Sequence, residues 1–571
     1  MKRFKQYIKN WKLTPSRRAA MLLAYFVFAL MLPNFVLAYT ELYNWWSILA
    51  GSLIPLGVYL LANMFTRRVG ITVMCMLPLI ILCAFQIVLL YIYGNSAIAT
   101  DMFINLMTTN PEEASELLTN LCPPIIIVCL IYGPILFEAF IQVRRKMRLS
   151  IKSHTRVVHI GYAFLALGML FLIPAYRTTD GRVVFNEIFP VNVIYNFNMA
   201  VSEDLNVKHY GQTSKQFKYN AVRENTTPQR EIYVYIIGEA SRAANWELYG
   251  YHRETNPRLK RRDDIYLFKN VVTQSNTTHK SVPLFLSSIG TGQHHDLFYR
   301  KGLAALFNEV GFKTYFLSNQ SPQGAMVDNL AKEADEVVYI GSPRQDMQLL
   351  RMMRRIIETD KKNNLLFILH CYGSHFSYHQ RYPREFAKFQ PDNDATIKPQ
   401  NVEMIRNAYD NSIFYTDYFL DSTISYLDSL TACSALLYCS DHGEDIFDDD
   451  RGRFLHASPT TTYYQLHVAS LAWFSDEFCE TYPGKVEAAR RHRWSPATTH
   501  SMFHTMADMA SINSSFIEHN VSLVSDEFDE TAPRYYLNDH NEAVPLDRHI
   551  GITDNDVYQF AIHGIRLDLN E

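Results

Sequence analysis

A strong excess of charge of either sign is missing from this chain. Its 571 residues carry 54 Lys and Arg against 57 Asp and Glu, so no basic surface for nucleic acid is expected. Cysteine is sparse. Cys75, Cys83, Cys122 and Cys129 lie in or beside apolar segments, while Cys371, Cys433, Cys439 and Cys479 are scattered through the polar remainder. None has metal-site spacing, and four thiols in so long a stretch make no disulfide scaffold, although an oxidising compartment would permit pairing. There is no internal repeat and no low-complexity tract, which disfavours a transporter built from symmetric halves. Lys and Arg are absent from residues 40–44 and 94–122, and that gap becomes informative beside the apolar segments.

Hydrophobic residues make up 48% of the chain, unevenly distributed. Five apolar segments fill the first third: Ala19–Tyr39, Trp45–Thr66, Gly70–Tyr93, Pro123–Val143 and Val157–Tyr176. Each has about the ~20 residues that cross a bilayer. Basic clusters at Lys2–Arg18, Arg67-Arg68 and Arg144–Arg156 alternate with the connections that lack Lys and Arg. The positive-inside rule therefore predicts a cytoplasmic N-terminus and export of everything after the fifth span. The first span reads as an uncleaved anchor, since further spans follow it. Glu138, near the cytoplasmic end of the fourth span, is expected to face the bundle or the interface. In the loop 94–122, MFINLMTTNPEEASELL suits an amphipathic helix at the membrane, starting near Pro111-Glu112-Glu113.

Three regions are predicted: a membrane domain over 1–176, a linker with short surface helices over 177–229, and an exported domain over 230–571. In the last, apolar runs at Ile232–Ile237, Thr314–Leu317, Glu336–Ile340, Leu365–Leu369, Ala435–Tyr438 and Ala469–Phe474 alternate with helix-compatible stretches. That pattern predicts an α/β domain with a mainly parallel central sheet.

Chemistry-bearing residues gather where these runs end. The run 435–438 leads into Ser440-Asp441-His442-Gly443-Glu444-Asp445, and a carboxylate beside an imidazole suits Zn²⁺. An ordinary turn fits the same residues. Glu239 ends the run 232–237, either as a helix N-terminal charge or as a ligand. Thr277 and Thr278 precede Ser281-Val282-Pro283, and a threonine hydroxyl attacks only when a metal or base activates it. His370, His375, His379, His456 and His467 lie beside other run ends, although a lone histidine is more often packed than ligating. The acidic continuation Glu444-Asp445 and Asp448-Asp449-Asp450 reads as a solvated loop.

The segments GEASRAANWELYGYHRETNPRL, THKSVP, HCYGSHFSYHQRYP, SDHGED and FLHASP…LHV resemble, in order, the motifs of bacterial inner-membrane phosphoethanolamine transferases. The resemblance covers essentially the whole chain. It implies five spans, an exported domain of the alkaline phosphatase/sulfatase type, and Zn²⁺ bound by Glu239, Asp441 and His442. It further implies Thr278 as a zinc-contacting nucleophile, with His375, His456 and, more weakly, His467 holding substrate or a second zinc. The implied reaction takes phosphoethanolamine from phosphatidylethanolamine, through a phosphoethanolamine-threonine intermediate, to lipid A or the lipopolysaccharide core. Two departures stand out. Cysteines that often flank the nucleophile are replaced by Gln274, Ser275, Asn276 and Leu284, and His279-Lys280 occupies a place that is usually small or apolar. The alternatives are a phosphoglycerol transferase of the lipoteichoic-acid-synthase type and a non-catalytic membrane scaffold. A sulfatase is disfavoured, because no CxPxR-like motif surrounds Thr278.

Overall fold

The computed structural model describes residues 14–40, 44–93, 97–108, 121–179, 183–224, 226–322, 325–342, 345–393, 399–458, 460–546 and 550–567. The chain divides into two compact units, one of residues 1–103 and 117–201, the other of 104–116 and 202–571. The start expected at Pro111-Glu112-Glu113 lies outside the described residues, as do Lys2 to Lys12.

The first unit is helical. Pro15–Tyr39, Cys122–Arg144 and Ile151–Thr178 are long and apolar enough to cross a membrane. The second expected span is the 17-residue helix Trp45–Leu61. The third is broken into Val69–Cys75 and Leu77–Tyr91, bent by 62°. The break falls beside Pro78, which has no N–H to continue the helix and whose ring crowds the carbonyl one turn back. Trp45–Leu61 packs closely on Ile151–Thr178 because glycine lines the contact. A Cβ on Gly57 would lie 2.6 Å from the Leu165 amide nitrogen, and one on Gly168 2.9 Å from that of Ile54. Glu138 is partly buried and chelated by Arg18, with Nε to Oε1 at 2.6 Å and Nη2 to Oε2 at 2.5 Å. Where short surface helices are expected in 177–229, a 23-residue helix runs from Val191 to Thr213.

The larger unit is built on a seven-stranded sheet. Its strands are β1 (Glu231–Gly238), β2 (Ile265–Leu267), β3 (Lys313–Ser318), β4 (Glu336–Tyr339), β5 (Leu365–His370), β6 (Cys433–Ser440) and β7 (Ser470–Phe474), in the order β2-β7-β6-β1-β5-β3-β4. All six apolar runs are strands. The sheet is mixed: β6, β1, β5, β3 and β4 are parallel neighbours, and β7 runs against both β6 and β2. Both faces are covered. Tyr233, Tyr235 and Ile237 of β1 point into one apolar cluster, and Ile232, Val234 and Ile236 into the other. This is why β1 reads as a continuous apolar run and not as an alternating one. With β1, β5 and β6 adjacent and parallel, their C-terminal ends deliver Glu239, Cys371 and Asp441 to one crevice, the place where open α/β sheets bind ligands.

Candidate active site

Glu239 follows the last residue of β1, and Asp441 and His442 follow the last residue of β6; all three are fully buried. The turn after β1 is held by the facing turn, because the Ala240 N–H donates to Asp441 Oδ1 at 3.2 Å and the Asp441 N–H to the Gly238 carbonyl at 3.0 Å. Gly373, after β5, closes the third side in a left-handed conformation (φ 44°). A Cβ there would sit 2.7 Å from the Glu239 carbonyl oxygen, so only glycine fits without displacing the strand end.

Carboxylate and imidazole donor atoms of Glu239, Asp441 and His442 lie within 4.8 Å of one another. His442 Nε2 is 3.3 Å from Asp441 Oδ2 and 3.5 Å from Glu239 Oε1. Its Nδ1–H donates to the Gly443 carbonyl at 2.9 Å, which leaves the Nε2 lone pair facing the carboxylates. This is the tautomer a histidine ligand needs, fixed by an outer hydrogen bond. Burial pushes the Asp441 carboxyl above the usual carboxylate range. Burial also holds His442 well below the ordinary imidazole range, reinforced by His456, His375 and His279. Two buried carboxylates and a neutral imidazole converging on one point fit a divalent cation of the zinc type.

Thr278 opens the helix Thr278–Phe285, where peptide N–H groups favour negative charge. Its Oγ1 lies 3.0 Å from His442 Nε2 and 3.4 Å from Glu239 Oε2, and unlike the metal-type cluster it is only half-buried. The hydroxyl is thus reachable from outside while its inner face meets the ligand set.

Of the histidines, His456 packs against His442 with ring centroids 4.1 Å apart and planes tilted by 37°, and it donates from Nδ1 to Glu444 Oε1 at 3.0 Å. His375 stacks on Tyr372 at 5.2 Å, and its Nδ1–H donates to the Phe376 carbonyl at 2.6 Å. His467 is elsewhere. It is buried with Nδ1 against the Tyr463 hydroxyl (3.0 Å) and Nε2 against the Lys269 carbonyl (2.9 Å), so both ring nitrogens serve packing. His370 is buried beside Ser318, and His379 lies in the short helix Tyr378–Gln380. The cysteines expected in the exported domain are all free thiols.

Of the acidic continuation, Glu444, Asp445 and Asp448 are drawn into the protein, while Asp450 is exposed as expected of a solvated loop. Glu444 is fully buried and accepts the Tyr378 hydroxyl at 2.6 Å. Asp445 is 2% exposed and accepts from Thr462 and Gln465. Asp448 pairs with the buried Arg242 guanidinium through two hydrogen bonds of 2.6 and 2.9 Å. Buried carboxylates survive only when so satisfied, and Arg242 comes from the turn after β1. Sequence reading also passed over Gln320, whose Nε2 donates to Glu239 Oε2 at 2.9 Å and to the Cys371 carbonyl at 3.0 Å. It follows the end of β3, the same strand-end signal that Glu239 gives. Ser281, 3.4 Å from Asp441 Oδ2 through its hydroxyl, stands within the THKSVP segment.

Residues 231–512 match the sulfatase family model. The Kdo(2)-lipid A phosphoethanolamine 7''-transferase of Escherichia coli (strain K12) is 28% identical over 333 residues, covering 55% of this chain and 56% of that protein. The chain therefore spans about half the length of this relative. Among solved structures, the integral membrane lipooligosaccharide phosphoethanolamine transferase A (EptA) from Neisseria meningitidis matches with TM-score 0.67 and 19% identity over 88% of this chain and 98% of that one. The zinc complex of the C-terminal periplasmic domain of EptC from Escherichia coli matches with TM-score 0.53 and 23% identity, over 59% of this chain and 97% of that one. At these identities the structural matches establish the fold alone: a membrane-helical region and an α/β domain of the kind seen in those two proteins.

Proposed function

We propose, from the premise that residues 231–512 form a sulfatase-family domain, that this chain is a membrane-bound phosphoethanolamine transferase acting on lipid A or the lipopolysaccharide core. The observation that carries this reading is the Thr278 hydroxyl, half-open to solvent and 3.0 Å from His442 Nε2 within the buried Glu239, Asp441 and His442 cluster. The relative named for phosphoethanolamine transfer to lipid A supports the substrate class. Five spans, a cytoplasmic N-terminus and a periplasmic catalytic domain complete the proposal, with the region 1–176 in the membrane and 230–571 outside it.

Glu239, Asp441 and His442 are the residues that would hold zinc. When bound there, zinc supplies positive charge beside Thr278 that makes its alkoxide accessible near neutral pH. Thr278 Oγ1 forms a bond to the phosphorus of phosphatidylethanolamine as the bond to the glycerol oxygen breaks, and diacylglycerol departs. The Thr278 hydroxyl points to Glu239 Oε2 at 3.4 Å, and the proton it gives up ends on the glycerol oxygen, so that diacylglycerol leaves as the neutral alcohol. His456 and His375 edge the cluster and face the phosphoryl oxygens or the ethanolamine end; a second zinc at this pair is part of the proposal. The phosphoethanolamine-threonine then passes its group to the acceptor, giving ping-pong kinetics.

The test is release of diacylglycerol from phosphatidylethanolamine in detergent, with phosphatidylglycerol as the rival donor. Thr278→Ala is expected to lower release by roughly a thousandfold or more. Wild-type release by that variant, or preference for phosphatidylglycerol, overturns the reading. Mass spectrometry of lipid A and core from cells with and without the gene identifies the acceptor through one added phosphoethanolamine.

A further inference from the structure

We infer that His500, His504 and Glu518 form a further divalent-metal site in the larger unit, separate from the Glu239 cluster, that takes zinc or a similar borderline cation. His500 and His504 lie one turn apart on the helix His500–Met509, so their rings project from one face. Glu518 comes from the segment after that helix and completes the set: one donor atom from each of the three residues lies within 4.8 Å of the others. Two imidazoles and a carboxylate are a zinc donor set that leaves a fourth position open.

The geometry favours ligands over ordinary packing partners. His500 Nε2 and Glu518 Oε2 are 3.8 Å apart, too far for a hydrogen bond yet close enough for one small cation to bridge. The two rings sit at 4.6 Å and 75°, an arrangement with no ring-to-ring hydrogen bond. His504 Nε2 is a buried ring nitrogen with no hydrogen-bond partner among the described residues, a cost that a packed histidine such as His467 avoids. The Glu518 amide N–H donates to His504 Nδ1 at 3.0 Å. A metal on His504 competes with that single neutral contact.

The helix that carries the pair is rigidly seated. Met502, Phe503 and Met506 are buried in the same apolar cluster as Val282 and Phe285 of the Thr278–Phe285 helix. The Leu523 N–H donates to Thr505 Oγ1 at 2.9 Å, which already draws the following segment onto the helix. A cation at this site would staple that segment to the helix behind the nucleophile. Its role is structural support at a distance, and it depends on no step of the transfer reaction.

Zinc alone is the probe, counted per chain by native mass spectrometry on the full-length protein in detergent. Glu239→Gln removes the ion of the first cluster, and His500→Gln or Glu518→Gln each removes one further ion. His500 and Glu518 are partly exposed, so these changes spare the fold, and the circular dichroism spectrum checks this. The expected result is that Glu239→Gln with His500→Gln holds one zinc fewer than Glu239→Gln alone. Equal zinc in those two proteins overturns the site and leaves the Glu239 reading untouched. Conversely, no loss on Glu239→Gln counts against the proposed catalytic metal without touching this site.

Discussion

His456 and His467 come from one stretch of sequence and look alike there, yet their ring nitrogens answer to different neighbours. His456 touches His442 and is oriented by the buried Glu444 carboxylate. His467 spends both nitrogens on Tyr463 and Lys269. Replacing each by glutamine therefore separates chemistry from packing. His456→Gln is expected to lower diacylglycerol release with an unchanged melting midpoint. His467→Gln is expected to lower stability by about 1–3 kcal/mol, the cost of disturbing buried hydrogen bonds, while each folded molecule keeps its turnover. Thermal melts paired with release assays check both. The distinction was not legible in sequence, because the carbonyl that occupies His467 Nε2 belongs to a residue 198 positions away. Glu444 was misread for the same reason: its partner Tyr378 is 66 positions distant. Glu239, Thr278, Asp441 and His442 were legible because each stands at the end of an apolar run or the start of a helix, where local pattern and site coincide.

Elements were more legible than side-chain partners. A continuous apolar run buried on both faces marks a strand regardless of what it pairs with, so all six runs appear in the sheet. β2 was missed because it has only three residues, two of them partly exposed. The reversed direction of β7 is set by its pairing with β6, which no local pattern encodes. In the first unit the apolar segments were plain, but Pro78 bends the third, and length alone does not count crossings. Helix packing there depends on absent side chains. Gly57 lies against the backbone of the Ile151–Thr178 helix, whereas Gly133 has nothing within 4 Å of its would-be Cβ. Gly57→Val is therefore expected to lower the detergent melting temperature of the membrane unit through forced helix separation. Gly133→Val, with the same change in helix propensity, serves as the matched control and should shift it far less. Equal shifts would show that propensity, and not close packing, accounts for the loss.

At the scale of the whole larger unit, buried ionisable groups pull the pH dependence of stability in opposite directions. Asp417, in the helix Val402–Asp428, accepts the N–H groups of Arg258 and Leu259 at 3.0 and 2.9 Å. Burial nevertheless pushes it up from 3.8 to about 7. Its folded form keeps the proton that the unfolded chain has released, so its stabilising contribution is complete below pH 3.8 and is lost as pH rises through about 7. His467 behaves inversely. Burial lowers it from 6.5 to about 3, so its contribution is complete above pH 6.5 and is lost as pH falls toward 3. Each contribution changes by at most about 3 kcal/mol between pH 4.5 and 7.5, and in the intact protein the two largely cancel. Single variants expose them. The melting midpoint of Asp417→Asn minus that of the wild type should become more positive from pH 4.5 to 7.5, and the same difference for His467→Gln more negative. Because each is a difference taken at one pH, contributions common to both proteins drop out. The prediction thus rests on the opposite slopes alone, and parallel slopes would mean that these two burials do not govern the titration.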